Sequence, residues 1–243
     1  MSDERLRKAE ALKQAKEDFL TNNKSKATQF FVEDKKQVNV TYLQSDLPEL
    51  PAIHFRRCSD STFTIAPQTT IVKVLFEGCK NCKVVLDKCV ISTSTMEIWR
   101  SVNCEVTVDC SLGTLQVDLC KDTRIKYTQA SQLGSLVQAG MHDLRVSFLD
   151  GTFPEFHTGL KQLQEAHGEI DEGAAQFITR IVDGKLLTEP IIRLLNDFPT
   201  TKREKAAFDA AAQHKAAAME SMARAMLGGS EQAPHQRAEE VGG

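Results

Sequence analysis

Short segments of alternating apolar and polar residues recur about every ten residues between positions 60 and 151. Several keep a clean period of two, as in Val106/Val108 and Ile125/Tyr127. That period places successive side chains on opposite faces of a strand, so one face is buried and the other is polar. The leading apolar residues, at steps of 10, 12, 10, 9, 10, 11 and 8, are Val74, Val84, Met96, Val106, Leu115, Ile125, Leu136 and Leu144.

A second periodicity, at about twice that spacing, is carried by Asn and Asp residues that each stand just ahead of a strand. Both residue types bond their own backbone at sharp corners and tolerate unusual backbone angles. One such corner per two strands predicts a mainly β protein, a right-handed parallel β-helix with about two strands per coil. A β-sandwich is the competing interpretation, but it favours Asn-Gly hairpins, and that dipeptide does not occur. The corner residues are Asp60, Asn81, Asn103, Asp122 and Asp143.

The seven cysteines all lie in the middle third of the chain, which raises the question of a disulfide framework or a metal site. The odd number argues against a disulfide framework. Cys79-Lys80-Asn81-Cys82 has zinc-ligand spacing, but no second close pair follows. We therefore predict buried, reduced thiols at coil corners, with no metal and no cofactor. The cysteines are Cys58, Cys79, Cys82, Cys89, Cys104, Cys110 and Cys120.

Both ends of the chain have helical composition. An N-terminal helical arm is predicted over residues 1–29, with a narrow apolar stripe, and a C-terminal helical arm over residues 193–227. Residues 228–243 are Gly-rich and polar, typical of a disordered tail. The arms either cap the open ends of the β-helix or bind a partner, and the pattern leaves both open. The apolar seam of the second arm comprises Phe208, Ala212, Met219, Met222 and Met226.

The charge balance bears on partners and location. The formal charge of −3 and a pI near 6.1 give no bulk attraction to nucleic acid or to an anionic membrane. No apolar run approaches the roughly 18 residues that a membrane helix needs, and the charged start MSDERLRKAE lacks the apolar region of a signal peptide. These features predict a cytoplasmic protein.

Motifs for catalysis are absent from the sequence. The six histidines are scattered, and neither a nucleophile elbow nor a phosphate-binding loop occurs. We therefore predict a non-enzyme. Candidate partner-binding residues are the lysines near corners, which form either a solvated edge or a docking patch for an acidic surface. The set also includes the tryptophan, which is either an anchor or a core residue, and the arginine beside it. These candidates are Lys80, Lys83, Lys88, Trp99 and Arg100.

Five segments also carry a family resemblance: FVEDKKQVNVTYL, HFRRCSDSTFTI, EGCKNCKVVLDKCV, GMHDLRVSFL and QFITRIVDGKLLTEPI. In order and spacing they resemble the C-terminal β-helix (CARP/C-CAP) domain of adenylyl cyclase-associated protein, whose superfamily includes tubulin-folding cofactor C. The resemblance implies a β-helix over residues 30–192, with an inserted helical segment at 154–175 and a closing hairpin at 176–192. In that family the hairpin exchanges between two copies. The exchanged strand here would be Lys185, Leu186, Leu187, Thr188 and Glu189.

The resemblance also carries expectations about function. It implies binding of monomeric actin and assistance with nucleotide exchange. The proline-rich tract and actin-binding helix that precede the domain in that family are not found in this sequence, and helical arms stand instead. We therefore expect a subunit of a larger filament-associated assembly, such as a microtubule-based ciliary axoneme, with actin binding as the alternative. Cofactor C has a catalytic arginine near the strand that follows the Asn-Cys corner, but this chain reads Val90-Ile91-Ser92-Thr93-Ser94 there, so GTPase activation is not expected.

Overall fold

The computed structural model describes residues 28–194 and 199–228. The predicted N-terminal arm, apart from its last two residues, and almost all of the predicted tail lie outside these described residues. The chain divides into two compact units, residues 1–190 and 191–243, which we describe separately. Among the described residues, no helix is both long enough and apolar enough to cross a membrane.

The described part of the first unit, residues 28–190, contains seventeen short strands. In chain order they are β1 (Thr28–Glu33), β2 (Asn39–Tyr42), β3 (Pro51–Arg56), β4 (Thr62–Ile65), β5 (Thr70–Ile71), β6 (Lys73–Glu77), β7 (Lys83–Asp87), β8 (Val90–Ile91), β9 (Thr95–Trp99), β10 (Glu105–Asp109), β11 (Leu112–Asp118), β12 (Thr123–Tyr127), β13 (Leu133–Ala139), β14 (Leu144–Phe148), β15 (Phe156–Thr158), β16 (Gln176–Val182) and β17 (Lys185–Pro190).

These strands form three sheets. Sheet I has the order β1-β3-β6-β9-β11-β13-β16-β17, sheet II the order β15-β14-β12-β10-β7-β4-β2, and sheet III contains only β5 and β8. Within sheets I and II the coil strands pair in parallel with strands one coil away. The result is a β-solenoid of about six turns, which confirms the predicted fold class. Sheet III adds a short third strand to two coils, beyond the two per coil that were predicted.

The apolar residues predicted at ten-residue steps alternate between sheets I and II, so every second one stacks in register within one sheet. In sheet I, Val74, Met96 and Leu115 are consecutive register partners, and Leu136 continues the column. In sheet II, Val84, Val106 and Ile125 are partners in the same way. The last predicted member, Leu144, is one alternation early: it pairs with Thr123, and Val146 pairs with Ile125. The short final step of eight residues reflects this offset.

The predicted corners are sharp turns with left-handed backbone. Asp60, Asn81, Asn103 and Asp122 have φ of 50°, 53°, 50° and 53°. The amide of Asn81 donates to Oδ1 of Asp60 at 2.8 Å, and the amide of Asn103 donates to Oδ1 of Asn81 at 3.0 Å. Side-chain hydrogen bonds therefore run from coil to coil along the corner. Asp143 differs, since it is not among the left-handed residues.

A second left-handed column, three residues earlier in each coil, was not predicted. One residue between the two left-handed positions of each corner, such as Lys80, forms an isolated parallel β-bridge to the same position in the adjacent coils. Arginine and leucine occupy several of these positions, although such residues are uncommon with positive φ. The column comprises Asp34, Arg57, Gly78, Arg100, Leu119 and Gly140.

All seven cysteines are buried and unbonded to one another, as predicted. Four of the thiols, those of Cys58, Cys79, Cys104 and Cys120, donate to backbone carbonyls of the preceding coil, as Cys58 does to Val32 at 3.4 Å and Cys120 to Ile98 at 3.6 Å. Burial raises the pKa of Cys104 to about 12 and that of Cys120 to about 11. Cys104 and Cys120 therefore act as small neutral core residues at the corners.

The closing end of the first unit is antiparallel. Strand β15 pairs with β14, and helix α1 (Leu160–His167) follows it. Strand β16 then pairs with β13 of the same chain, and β17 pairs with β16. The hairpin turn has positive φ at both Asp183 (49°) and Gly184 (72°), as a type I′ turn requires. Strand β17 is thus an edge strand of sheet I.

The second unit contains two short antiparallel strands, β18 (Ile192–Arg193) and β19 (Pro199–Thr200), and helix α2 (Lys202–Gly228). A capping box begins α2: Thr201 Oγ1 accepts from the Glu204 N–H, and Glu204 Oε2 accepts from the Thr201 N–H, both at 3.2 Å. From position 205 to 223 every residue is exposed. The seam residues within this range, Phe208, Ala212, Met219 and Met222, are therefore open to solvent.

Candidate protein-binding site

The three lysines predicted from the sequence lie along one coil rather than in one cluster. Lys80 is the exposed bridge residue of the corner before β7. Lys83 opens β7, with its Nζ 3.6 Å from Oε1 of Glu105. Lys88 lies beyond the other end of β7, with φ of 46°. Because a strand rises about 3.3 Å per residue, roughly 17 Å of strand separates the outer two.

The other two predicted residues are in contact. Trp99, the single tryptophan of the chain, ends β9 with 41% of its surface exposed. The guanidinium carbon of Arg100 lies 4.4 Å from the centroid of the indole ring. Trp99 is therefore a surface aromatic and not a core residue, which leaves it available as an anchor.

A groove of about 250 Å³ runs beside Trp99 on the outer face of sheet I, and we call it the sheet I groove. Its residues come from four strands, β3, β6, β9 and β11, and so from four successive coils. The lining residues are His54, Leu75, Phe76, Glu77, Glu97, Ile98, Trp99, Gln116 and Asp118.

Stacking register explains why these residues meet. Glu77, Trp99 and Asp118 are register partners on adjacent strands, and each directly precedes a left-handed corner residue. Neighbouring strands lie about 4.8 Å apart, so the indole lies between two carboxylates. Glu97 is two residues before Trp99 and therefore shares its face. The carboxylates were not predicted from the sequence, although positions 77, 99 and 118 follow the coil repeat at steps of 22 and 19 residues.

At one end of the groove, the charges are paired with each other. Nε2 of His54 lies 3.0 Å and Nε of Arg56 lies 3.2 Å from Oε2 of Glu77. Arg56 also donates to Glu33 at 2.8 Å and stacks over the ring of Phe31 at 5.7 Å. Burial lowers the pKa of His54, so the imidazole is neutral near pH 7 and adds no charge.

At the other end, one carboxylate has no cation partner within the described part of the chain. Glu97 is paired with Lys73 at 2.5 Å, whereas Asp118 accepts a hydrogen bond from the neutral amide of Gln116 at 2.5 Å and a backbone hydrogen bond from Ala139. Oδ1 of Asp118 is covered and has no hydrogen-bond partner among the described residues. Burial raises the pKa of Asp118, and the nearby charge of Glu97 adds to the effect.

The arrangement is suited to binding a protein surface. An exposed tryptophan beside a concave, partly desolvated patch is typical of interface anchors. The flanking carboxylates are fixed by strand register, so they present negative charge in a defined position. We therefore take the outer face of sheet I around Trp99 as the candidate protein-binding site.

The predicted dimer strand is the outer strand of the closing hairpin. Leu187 pairs with Arg180 and Thr188 with Thr179, whose hydroxyl oxygens are 2.8 Å apart. Within the single chain, Lys185, Leu186 and Glu189 likewise pair with β16. The opposite side of β17 is the sheet edge, where an additional strand can be accepted.

Comparison with known protein families identifies the family to which this chain belongs. The model of the family described as adenylate cyclase associated (CAP) C terminal matches residues 20–192, which is more than half of the chain. No curated protein matches the chain. The match covers all of sheets I, II and III and the closing hairpin. The family is one of cytoskeletal, actin-related binding domains and is not known as catalytic. This chain belongs to the adenylate cyclase associated (CAP) C-terminal family.

Proposed function

We propose that this chain is a non-catalytic cytoskeletal module that binds monomeric actin through the outer face of sheet I, with Trp99 as the anchor. The observation that carries the proposal is the family match over the whole β-helix. The exposed indole beside the sheet I groove supports the choice of surface. On this proposal the chain acts in the cytoplasm, and binding assists nucleotide exchange on actin.

The test compares the actin affinity of a variant on the outer face of sheet I with that of a variant in sheet III. Purified full-length chain is titrated into fluorescently labelled monomeric actin, and the release of bound nucleotide is followed. Trp99→Ala should weaken binding about 30-fold, as expected for truncation of an interface anchor. Val90→Ala is the matched control, because Val90 is also exposed but lies in sheet III. Absence of actin binding in the wild type, or equal loss in both variants, would contradict the proposal.

A second candidate function is a stable subunit of a larger filament-associated assembly, such as a microtubule-based axoneme. Helix α2 supports it, because Phe208, Met219 and Met222 are 72%, 50% and 62% exposed. Large exposed apolar side chains on one helix are typical of a partner-docking face. Binding of the chain to tubulin or axonemal proteins, lost in Phe208→Ser/Met222→Ser but kept in Trp99→Ala, would favour this function over actin binding.

Self-association by hairpin exchange is also part of the proposal. In the single chain β16 pairs with β13. A second copy could supply the same strand in its place, because the contacts are identical. Light scattering on the chain, intact and truncated after Thr179, tests this. A dimer only when the hairpin is present supports exchange, and a monomer in both forms contradicts it.

A further inference from the structure

The charges of the sheet I groove are not balanced from one end to the other. Glu77 has two nitrogen partners, from His54 and Arg56, and Glu97 has Lys73. Among the described residues, no cation lies close enough to Asp118 to lower its pKa. A half-buried carboxylate beside a second carboxylate is stabilised when a cation comes within about 4–6 Å. A cation supplied by another molecule would therefore be stabilised at the Asp118 end of the groove.

The present partner of Asp118 is replaceable. The amide of Gln116 is a neutral donor at the end of a flexible side chain, and it contacts Oδ2 of Asp118 at 2.5 Å. A guanidinium carries a full charge and several N–H donors in a planar fork that matches a carboxylate. Charge-assisted hydrogen bonds are about twice as strong as neutral ones, so an incoming guanidinium can displace this amide.

Trp99 adds a preference for a planar cation. It is the direct register partner of Asp118, so its indole lies at the same end of the groove. Tryptophan is the best aromatic partner for cations, and arginine is the cation found on it more often. The protein already shows the geometry, since Arg100 stacks on the indole at 4.4 Å. The groove thus combines a carboxylate without a cation and an aromatic wall.

We propose that the sheet I groove receives an arginine side chain from a basic segment of the protein partner, pairing with Asp118 and packing against Trp99. The inference rests on the proposed function only in taking this face as the partner-binding surface. It adds the chemistry of recognition: a positively charged partner segment on this face, opposite in sign to the acidic surface expected to bind Lys80, Lys83 and Lys88.

The test uses Trp99 as its own reporter, because the chain has a single tryptophan. The full-length protein is titrated with the peptide acetyl-Gly-Arg-Gly-Arg-Gly-amide while indole emission is recorded. The control peptide has citrulline in place of arginine, which keeps the shape and removes the charge. We expect a saturable change with the arginine peptide only. No saturable change, or the same change with the citrulline peptide, would overturn the proposal.

Two variants locate the effect. Asp118→Asn should weaken peptide binding at least tenfold, with the fold checked by circular dichroism. Asp87→Asn is the matched control, because Asp87 also ends a strand just before a left-handed residue but belongs to sheet II. It should bind like the wild type. Equal affinity in Asp118→Asn and wild type would overturn the assignment of the groove.

The outcome is separable from that of the proposed function, because the peptide titration contains no actin. Arginine-dependent binding that is lost in Asp118→Asn supports the groove assignment even if actin does not bind. Conversely, actin binding that depends on Trp99, together with no response to the peptide, leaves the proposed function standing and overturns this inference.

Discussion

The outer faces of sheets I and II are built by the same coils but carry different chemistry. On sheet II, charges pair from coil to coil: Glu105 lies 3.6 Å from Lys83 and 2.8 Å from Lys126. On sheet I, a groove contains an exposed tryptophan and Asp118, which has no cation partner among the described residues. Stacking therefore constrains the inward residues and the corners, while the outward residues can differ from one sheet to the other. Function is therefore to be sought in the outward columns.

The interior shared by both sheets should give the largest effect. Phe55 of sheet I and Phe63 of sheet II are fully buried, with ring centroids 4.5 Å apart. Phe63→Ala should lower the free energy of unfolding by about 3–5 kcal/mol, through lost burial and a cavity. Urea unfolding measures it. A loss below about 1 kcal/mol, the range of exposed sites, would mean that the two sheets do not share one core.

The corner column should give the next largest effect. Asn81 has φ of 53°, donates to Asp60 and accepts from Asn103. Asn81→Ala should cost about 1–2 kcal/mol, because alanine is strained at positive φ and the coil-to-coil bonds are lost. Asn81→Gly separates the two terms, since it removes the bonds without the strain. The same loss in both variants would assign the effect to the hydrogen bonds alone.

The balanced charges of sheet II should give a smaller loss that depends on pH. Burial opposes ionisation of Glu105, but the hydrogen bond and charge of Lys126 prevail and lower its pKa. A lowered folded-state pKa gives stability that is present above the unfolded pKa and lost as pH falls through the folded one. Glu105→Gln should therefore cost about 0.2–1 kcal/mol at pH 7 and less in acid. Thermal unfolding at pH 7 and pH 3 checks the trend.

The unbalanced carboxylate of sheet I should give the smallest effect, with the opposite sign. Because burial raises the pKa of Asp118, its protonated form is favoured in the folded state, and that stabilisation is lost as pH rises through the folded pKa. Asp118→Asn should raise stability by a few tenths of a kcal/mol at pH 7, with the gain shrinking in acid. A loss at pH 7 equal to that of Glu105→Gln would remove the distinction between the two faces.

Much of the fold could be predicted because a stacked coil repeats its demands along the chain. The apolar columns through Val74 and Val84 and the left-handed corner at Asn81 all follow from local spacing. The second left-handed column was missed because Arg100 and Leu119 are not residue types associated with positive φ. Sheet III was missed because its strands are two residues long and show no alternation.

The candidate site was predicted only in part. Trp99 and Arg100 were named from their place on a predicted strand, with Trp99 as an anchor or a core residue. The lysines were grouped by nearness in sequence, whereas the structure spreads them over a strand and its two corners. Glu77 and Asp118 are 41 residues apart in the sequence and line the same groove only because their strands, β6 and β11, flank β9.

The repeat in the sequence was enough to predict the spacing of the main coil strands, the Asn/Asp corners ahead of them and the burial of the thiols, because these depend on residues within one coil and its repeat. Three features depend on the tertiary structure: which outward side chains share a surface, that no cation among residues 28–194 and 199–228 pairs with Asp118, and that β17 is a sheet edge. The physical reason is that pairing, desolvation and edge exposure are properties of neighbours in space, and stacking brings together residues about 20 positions apart.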